Sequence, residues 1–188
     1  MSRGKLIVIV APSGSGKSTL IKRIKEDLPN LMESVSYTTR PVRPGEINGV
    51  HYNFISAEEF SERKKSGDFL ESATVHGNFY GTSKSFVQKM TEEGKDLLFD
   101  LDVQGADSFK EFFKGDVKIV FIAPPSYEEL EKRLKGRGTD KLEVIETRLE
   151  NAKKELMRRE DYDFMVVNDD LDRCYRELKE IFERILKG

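Results

Sequence analysis

The chain predicts an open α/β fold, a parallel sheet wound on both faces by helices, and three observations carry that prediction. Short, continuous apolar runs recur along it: KLIVIV at Lys5–Val10, DLLFDLD at Asp96–Asp102, VKIVFIA at Val117–Ala123 and FMVV at Phe164–Val167. Runs that do not alternate with polar residues suit strands covered on both faces. They are separated by stretches of helical periodicity, which parallel strands need for their crossovers. The first run leads at once into a glycine-rich turn, APSGSGKST at Ala11–Thr19, where a doubly wound sheet presents a helix N-terminus to an anion.

The first element is the strand Lys5–Val10, and STLIKRIKE, Ser18–Glu26, reads as the helix that follows. Between them Gly14 and Gly16 allow backbone conformations closed to other residues and turn main-chain N–H groups inward. The pattern is GxxxxGK followed by Ser or Thr, with Ala11 in place of the first glycine; Gly16, Lys17 and Ser18 are all present. Ala11, Pro12, Ser13, Gly14, Ser15, Gly16, Lys17, Ser18 and Thr19 therefore form a predicted phosphate loop. Lys17 supplies a point charge to the outer phosphates, and the Ser18 hydroxyl is placed to ligate magnesium. The loop predicts binding of a nucleoside triphosphate and leaves its fate open.

Leu31–Ser36 reads as a short strand, and then the texture changes. Residues 37–82 carry many turn residues and alternating aromatics around one helix-like stretch, AEEFSERKKSG, which predicts a small inserted subdomain of antiparallel strands. Ser83–Glu93 reads as a helix ended by Gly94. Between Ser126 and Glu160 two helical stretches are joined by GRGTDK, Gly136–Lys141. Arg133 and Arg137 share a face of the first, and the second carries Arg148. A solvated charged surface is one reading of this segment, and the glycine-flanked joint makes a mobile lid the other. A helix over Leu171–Leu186 closes the fold.

A length of 188 residues suits one core, and acidic and basic residues nearly balance, 34 against 32. That balance excludes a bulk nucleic-acid binder, which needs a basic excess. Cys174 is the only cysteine and His51 and His76 the only histidines, so an internal disulfide and cysteine- or histidine-rich metal clusters are excluded. KLIVIV is too short to span a membrane. A cytoplasmic protein without membrane or nucleic-acid partners is expected, as monomer or homodimer.

The insertion offers a second anion site. Arg40 and Arg43 sit in TTRPVRPGE, a turn stiffened by Pro41 and Pro44, where two planar guanidinium groups can be directed at one phosphate. Tyr52 and Tyr80 can each add a hydroxyl, or can serve as ordinary packing of a small sheet.

With these residues in view, the chain resembles the guanylate kinase family. The phosphate loop, SYTTRPVRPGEINGVHYNF, FLE, YGTS, LDVQG, RLKGRG and VNDDLD occur in that family's order and approximate spacing, from about Lys5 to Leu186. The resemblance implies a P-loop-type domain over residues 4–187, with a core of residues 4–36, 83–125 and 160–187. It implies a GMP-binding subdomain at 37–82 and a lid at 126–159. It puts the phosphate of GMP on Arg40, Arg43, Tyr52 and Tyr80, and Ser36, Glu71, Thr82 and Asp102 around the guanine. An ionised Glu71 suits guanine, whose N1–H and 2-amino group are adjacent donors, and does not suit adenine.

By the same resemblance Asp100 lies near the magnesium, and Lys17, Arg133, Arg137 and Arg148 act on the transferring phosphate of ATP. Asn168 would lie beside the adenine. Ser72 departs from the family, which often carries Trp after the glutamate of FLE. The reaction implied is ATP plus GMP giving ADP plus GDP, within purine nucleotide metabolism. The competing readings are a non-catalytic binding module of the same fold and a P-loop kinase with another acceptor.

Overall fold

Five consecutive apolar residues, Leu6–Val10, form β1, and all five are buried. In the computed structural model, which describes residues 3–75, 77–136 and 142–188, the chain continues through α1 (Lys17–Asp27), β2 (Met32–Glu33), β3 (Tyr37–Thr38) and β4 (Asn53–Phe54). Then come α2 (Ala57–Lys65), β5 (Phe69–Val75), β6 (Asn78–Ser83), α3 (Lys84–Glu92), β7 (Leu97–Asp100) and α4 (Val103–Phe113). The last elements are β8 (Val117–Ala123), α5 (Tyr127–Gly136), α6 (Leu142–Met157), a 3₁₀ turn at Arg159–Asp161, β9 (Phe164–Val167) and α7 (Leu171–Lys187).

The predicted parallel sheet is present as five strands in the order β2-β7-β1-β8-β9. β8 and β9 pair in parallel from Val120 with Phe164 to Ala123 with Val167. The predicted strand Leu31–Ser36 shortens to two residues at the sheet's edge, in parallel register with Leu97 and Leu98. Beyond it the Ser34 N–H donates to the Leu98 carbonyl, 2.8 Å, before the chain leaves.

The chain divides into two compact units. One comprises Met1–Leu6, Asn30–Phe99 and Gln104–Val117. It holds a second sheet in the order β4-β3-β6-β5. β3 with β6 and β5 with β6 are antiparallel. The third pairing corrects the expectation of an all-antiparallel insert: β3 and β4 run in parallel, Tyr37 opposite Asn53 and Thr38 opposite Phe54. The reason is the long connection, residues 39–52, since parallel neighbours need a crossover rather than a tight hairpin. Phe60 of α2 seals this sheet, its ring centre 4.6 Å from Phe69 and 5.4 Å from Phe79. Gly81 on β6 lies directly under Phe69, where an added Cβ would come within 3.0 Å of the ring.

The other unit comprises Ile7–Pro29, Asp100–Val103 and Lys118–Gly188. α5 and α6 pack through buried Leu130, Leu134, Ile145, Leu149 and Ala152. α7 buries Cys174, Tyr175, Leu178, Phe182 and Ile185 along one side, the stripe that a surface helix turns toward its core.

Candidate active site

The turn after β1 closes tightly before α1 begins. The Ser15 N–H donates to the Pro12 carbonyl, 3.1 Å, and the Leu20 N–H to the Gly16 carbonyl, 3.2 Å. Gly14 and Gly16 have φ of 95° and 87°, a region that glycine enters without strain. Gly16 is required for space as well, because a Cβ there would meet Asn168 Nδ2 at 2.4 Å. α1 starts with no side-chain cap and no acidic residue in its first turn. Its free N–H groups and the positive end of its dipole are thus left for an external anion. Residues 11–14 and 16–19 line a hollow of about 310 Å³ at this point.

Strand ends bring further charge to the same unit. The Lys17 ammonium is ion-paired with the Asp100 carboxylate at the end of β7 and lies 3.3 Å from the Leu101 carbonyl oxygen. Asn168, just past β9, is 5% exposed, and its Nδ2 donates to the Ser15 carbonyl, 2.7 Å. Asn168, the residue expected beside adenine, thus also braces the loop. Arg133 of α5 donates through Nη1 to the Asn168 carbonyl, 3.0 Å, and through Nε to Glu129, 3.1 Å. Arg148 of α6 donates to Ser13 Oγ, 3.3 Å. Arg148 and Asn168 thus bond directly to loop residues, Arg133 reaches the loop through Asn168, and Asp100 pairs with the loop's own Lys17. Arg137 and most of the Gly136–Lys141 joint lie outside the described residues, as does His76.

Among the described residues no cluster of three or more His, Cys, Asp or Glu side chains is arranged to hold a metal. Ser18, exposed at the start of α1, and Asp100 supply hard oxygen donors only. Such a set fits a divalent ion that takes its remaining ligands from phosphates and water.

The other unit gathers the second group. Arg40 is 9% exposed; its Nη2 donates to Glu46 Oε1, 2.6 Å, and its Nη1 to the Pro41 carbonyl, 2.9 Å. Its guanidinium carbon lies 5.5 Å from the Tyr52 ring centre and 5.7 Å from that of Phe54. Tyr52 and Tyr80 meet edge to face at 5.9 Å. The Arg43 side chain is exposed, while its backbone N–H donates to Glu46 Oε2, 2.7 Å. Glu71 and Thr82 face each other across β5 and β6, and the buried Thr82 hydroxyl donates to Glu71 Oε1, 2.7 Å. The Ser36 carbonyl accepts from the Asn53 N–H, 2.9 Å. Asp102, expected near the guanine, falls in the unit of Lys17 and Asp100.

Sequence reasoning passed over two acidic residues. Glu46 is held below the usual carboxylate range, chiefly by its bond from Arg40 and next by the Arg43 N–H. Its signal was the proximity of one acid to two arginines in TTRPVRPGE. On α6, burial pushes Glu155 up to about 7; the Lys17 charge opposes the shift and the Asp102 charge adds to it. Arg148, Ala152 and Glu155 recur at helical spacing, and that stripe was the available sign.

A family model described as guanylate kinase matches residues 3–185. The chain belongs to the guanylate kinase family. The guanylate kinase of Rhizobium meliloti is 49% identical over 96% of this chain and 83% of its own length. That of Hahella chejuensis is 46% identical over 97% of this chain and 87% of its own. In structure the chain is similar to the guanylate kinase from Anaplasma phagocytophilum, with a TM-score of 0.77 and 32% identity over 100% of this chain and 89% of that one. A gluconokinase from Sinorhizobium meliloti, 15% identical with a TM-score of 0.52 over 100% of this chain and 96% of that one, shares the fold alone.

Proposed function

We propose that this protein transfers the γ-phosphoryl group of ATP to GMP, giving ADP and GDP in purine nucleotide metabolism. One observation carries the acceptor's identity: Glu71, oriented by the Thr82 hydroxyl at 2.7 Å, lies in the same unit as the buried, hydrogen-bonded Arg40. The carboxylate accepts the two adjacent donors of guanine, and Arg40, Arg43, Tyr52 and Tyr80 take the phosphate. Ser36 completes the base site. Adenine, with a lone pair at N1 and no 2-amino group, would leave Glu71 unpaired, and a polar site of this kind discriminates by about 10⁴-fold.

Residues 37–82 act as the acceptor subdomain and 126–159 as the lid. Residues 11–19 bind the triphosphate, with Lys17 on its outer phosphates and Arg133, Arg137 and Arg148 offsetting charge on the transferring group. No protein base is needed, because the phosphate of a nucleoside monophosphate has a second pKa of about 6 and is largely dianionic at neutral pH. The difficulty is bringing two polyanions together, which fixed cations and exclusion of water address. Magnesium, held by Ser18 with Asp100 and the triphosphate, neutralises phosphate charge when bound. Balanced charge and a single cysteine support a cytoplasmic enzyme of small molecules, monomeric or dimeric. The intact loop and its Lys17 contacts favour catalysis over a binding module.

The test is ADP release with GMP, AMP, UMP, CMP and dTMP as acceptors. Strong preference for GMP is expected. Equal rates for all five, or ADP release independent of acceptor, would overturn the reading.

A further inference from the structure

We infer that Glu46 is a positioning residue for the acceptor phosphate: it fixes Arg40 and the Arg43 turn as one rigid pair of donors, and its net effect on acceptor binding is favourable although it carries the ligand's own sign of charge. The inference rests on the assignment of Arg40 and Arg43 to the phosphate of GMP.

The local arrangement is unusual for an anion site. A carboxylate sits 2.6 Å from the arginine that should receive the anion. Judged by charge alone it should compete with the phosphate and weaken binding. Its geometry indicates another role. The two oxygens of Glu46 serve different partners, Oε1 the Arg40 guanidinium and Oε2 the Arg43 backbone N–H at 2.7 Å. The same turn is closed by the Glu46 N–H donating to the Arg43 carbonyl, 3.0 Å, and Pro41 and Pro44 restrict its backbone further.

Arg40 itself is nearly enclosed, at 9% exposed. One amino group is held by Glu46 and the other by the Pro41 carbonyl at 2.9 Å, with Tyr52 and Phe54 beside its plane. The long side chain is therefore held in one conformation before any ligand arrives. Ordering that would otherwise oppose binding is already complete, the general gain of preorganisation. The remaining guanidinium N–H donors orient the acceptor phosphate at fixed points, and a planar guanidinium is effective only when so aimed.

Charge and positioning predict opposite signs for one substitution. Glu46→Gln removes a negative charge and leaves a single acceptor oxygen for two donors. If charge count governed, KM for GMP would fall. If positioning governs, KM for GMP rises by about 10- to 100-fold, the scale of a misplaced binding group, while KM for ATP is unchanged. Inhibition by guanosine, which lacks the phosphate, should also be unchanged, and this separates positioning from general loosening of the subdomain. Glu46→Asp keeps both oxygens one methylene short and should fall between Gln and the parent.

A KM for GMP equal to or below the parent's in Glu46→Gln would overturn the inference. So would parallel weakening of ATP, GMP and guanosine, which marks a merely structural brace. Arg40→Ala, assayed alongside, separates the two levels. If it leaves KM for GMP unchanged, the acceptor-site assignment itself fails. If it impairs GMP use while Glu46→Gln does not, only the positioning role is lost.

Discussion

Lys17 and Glu71 divide the chemistry between them, one expected to act on the phosphate that moves and the other on the base that is chosen. Lys17 rests on Asp100 and the Leu101 carbonyl, contacts that a triphosphate in the loop would exchange for its own oxygens. Lys17→Met should fold as the parent does and lose turnover by about 10²- to 10³-fold, the usual loss when one preorganised electrostatic partner is removed. Near-normal steady-state rates would remove Lys17 from the mechanism. Glu71→Gln replaces a charged acceptor with a neutral amide that keeps one acceptor. KM for GMP should rise by about 10- to 100-fold, with the gap between GMP and AMP narrowed; an unchanged ratio of kcat/KM would place base recognition elsewhere. Lys17 was singled out by a short local motif, and Glu71 only through the family resemblance to which FLE contributes. Glu46 and the Asn168 bond to Ser15 were not legible, since a carboxylate in a turn and an amide 153 residues away in sequence announce no partner by spacing.

At the scale of elements, hydrophobic period found the long, buried pieces and said little of how the shortest ones pair. β1 and β8 read directly as apolar runs, and all but one of their residues are buried. β3 and β4 have two residues each, too few for any period, so their parallel pairing had no local sign. α6 carries a consequence of its own. Burial raises Glu155 from the ordinary value of 4.5 to about 7. The folded chain therefore binds this proton more tightly than the unfolded one. As pH rises from 4.5 toward 7 the unfolded chain ionises first, so this group's contribution to stability declines across that window. Glu155→Gln is neutral throughout. Its thermal unfolding should match the parent near pH 4.5 and occur at higher temperature than the parent at pH 8; two curves of the same shape across that range would show that Glu155 does not titrate as argued.

For the whole molecule, residues 11–19, expected to hold the triphosphate, fall in one compact unit, and Arg40, Arg43, Tyr52 and Tyr80, expected to hold the acceptor phosphate, fall in the other. Composition had bounded this outcome by excluding an internal disulfide and any basic excess. It could not have shown that Arg40 is enclosed while Arg43 is exposed, because burial follows from the folding of residues far apart. The guanylate kinase reaction requires one chain to grip two nucleotides and move a phosphoryl group from one to the other. Phosphorus NMR of ATP and GMP incubated with the protein and magnesium tests it most directly. ADP and GDP signals should rise together and in equal amounts, and neither should appear when a chelator removes the divalent ion. ADP accompanied by inorganic phosphate, with the GMP signal undiminished, would contradict it.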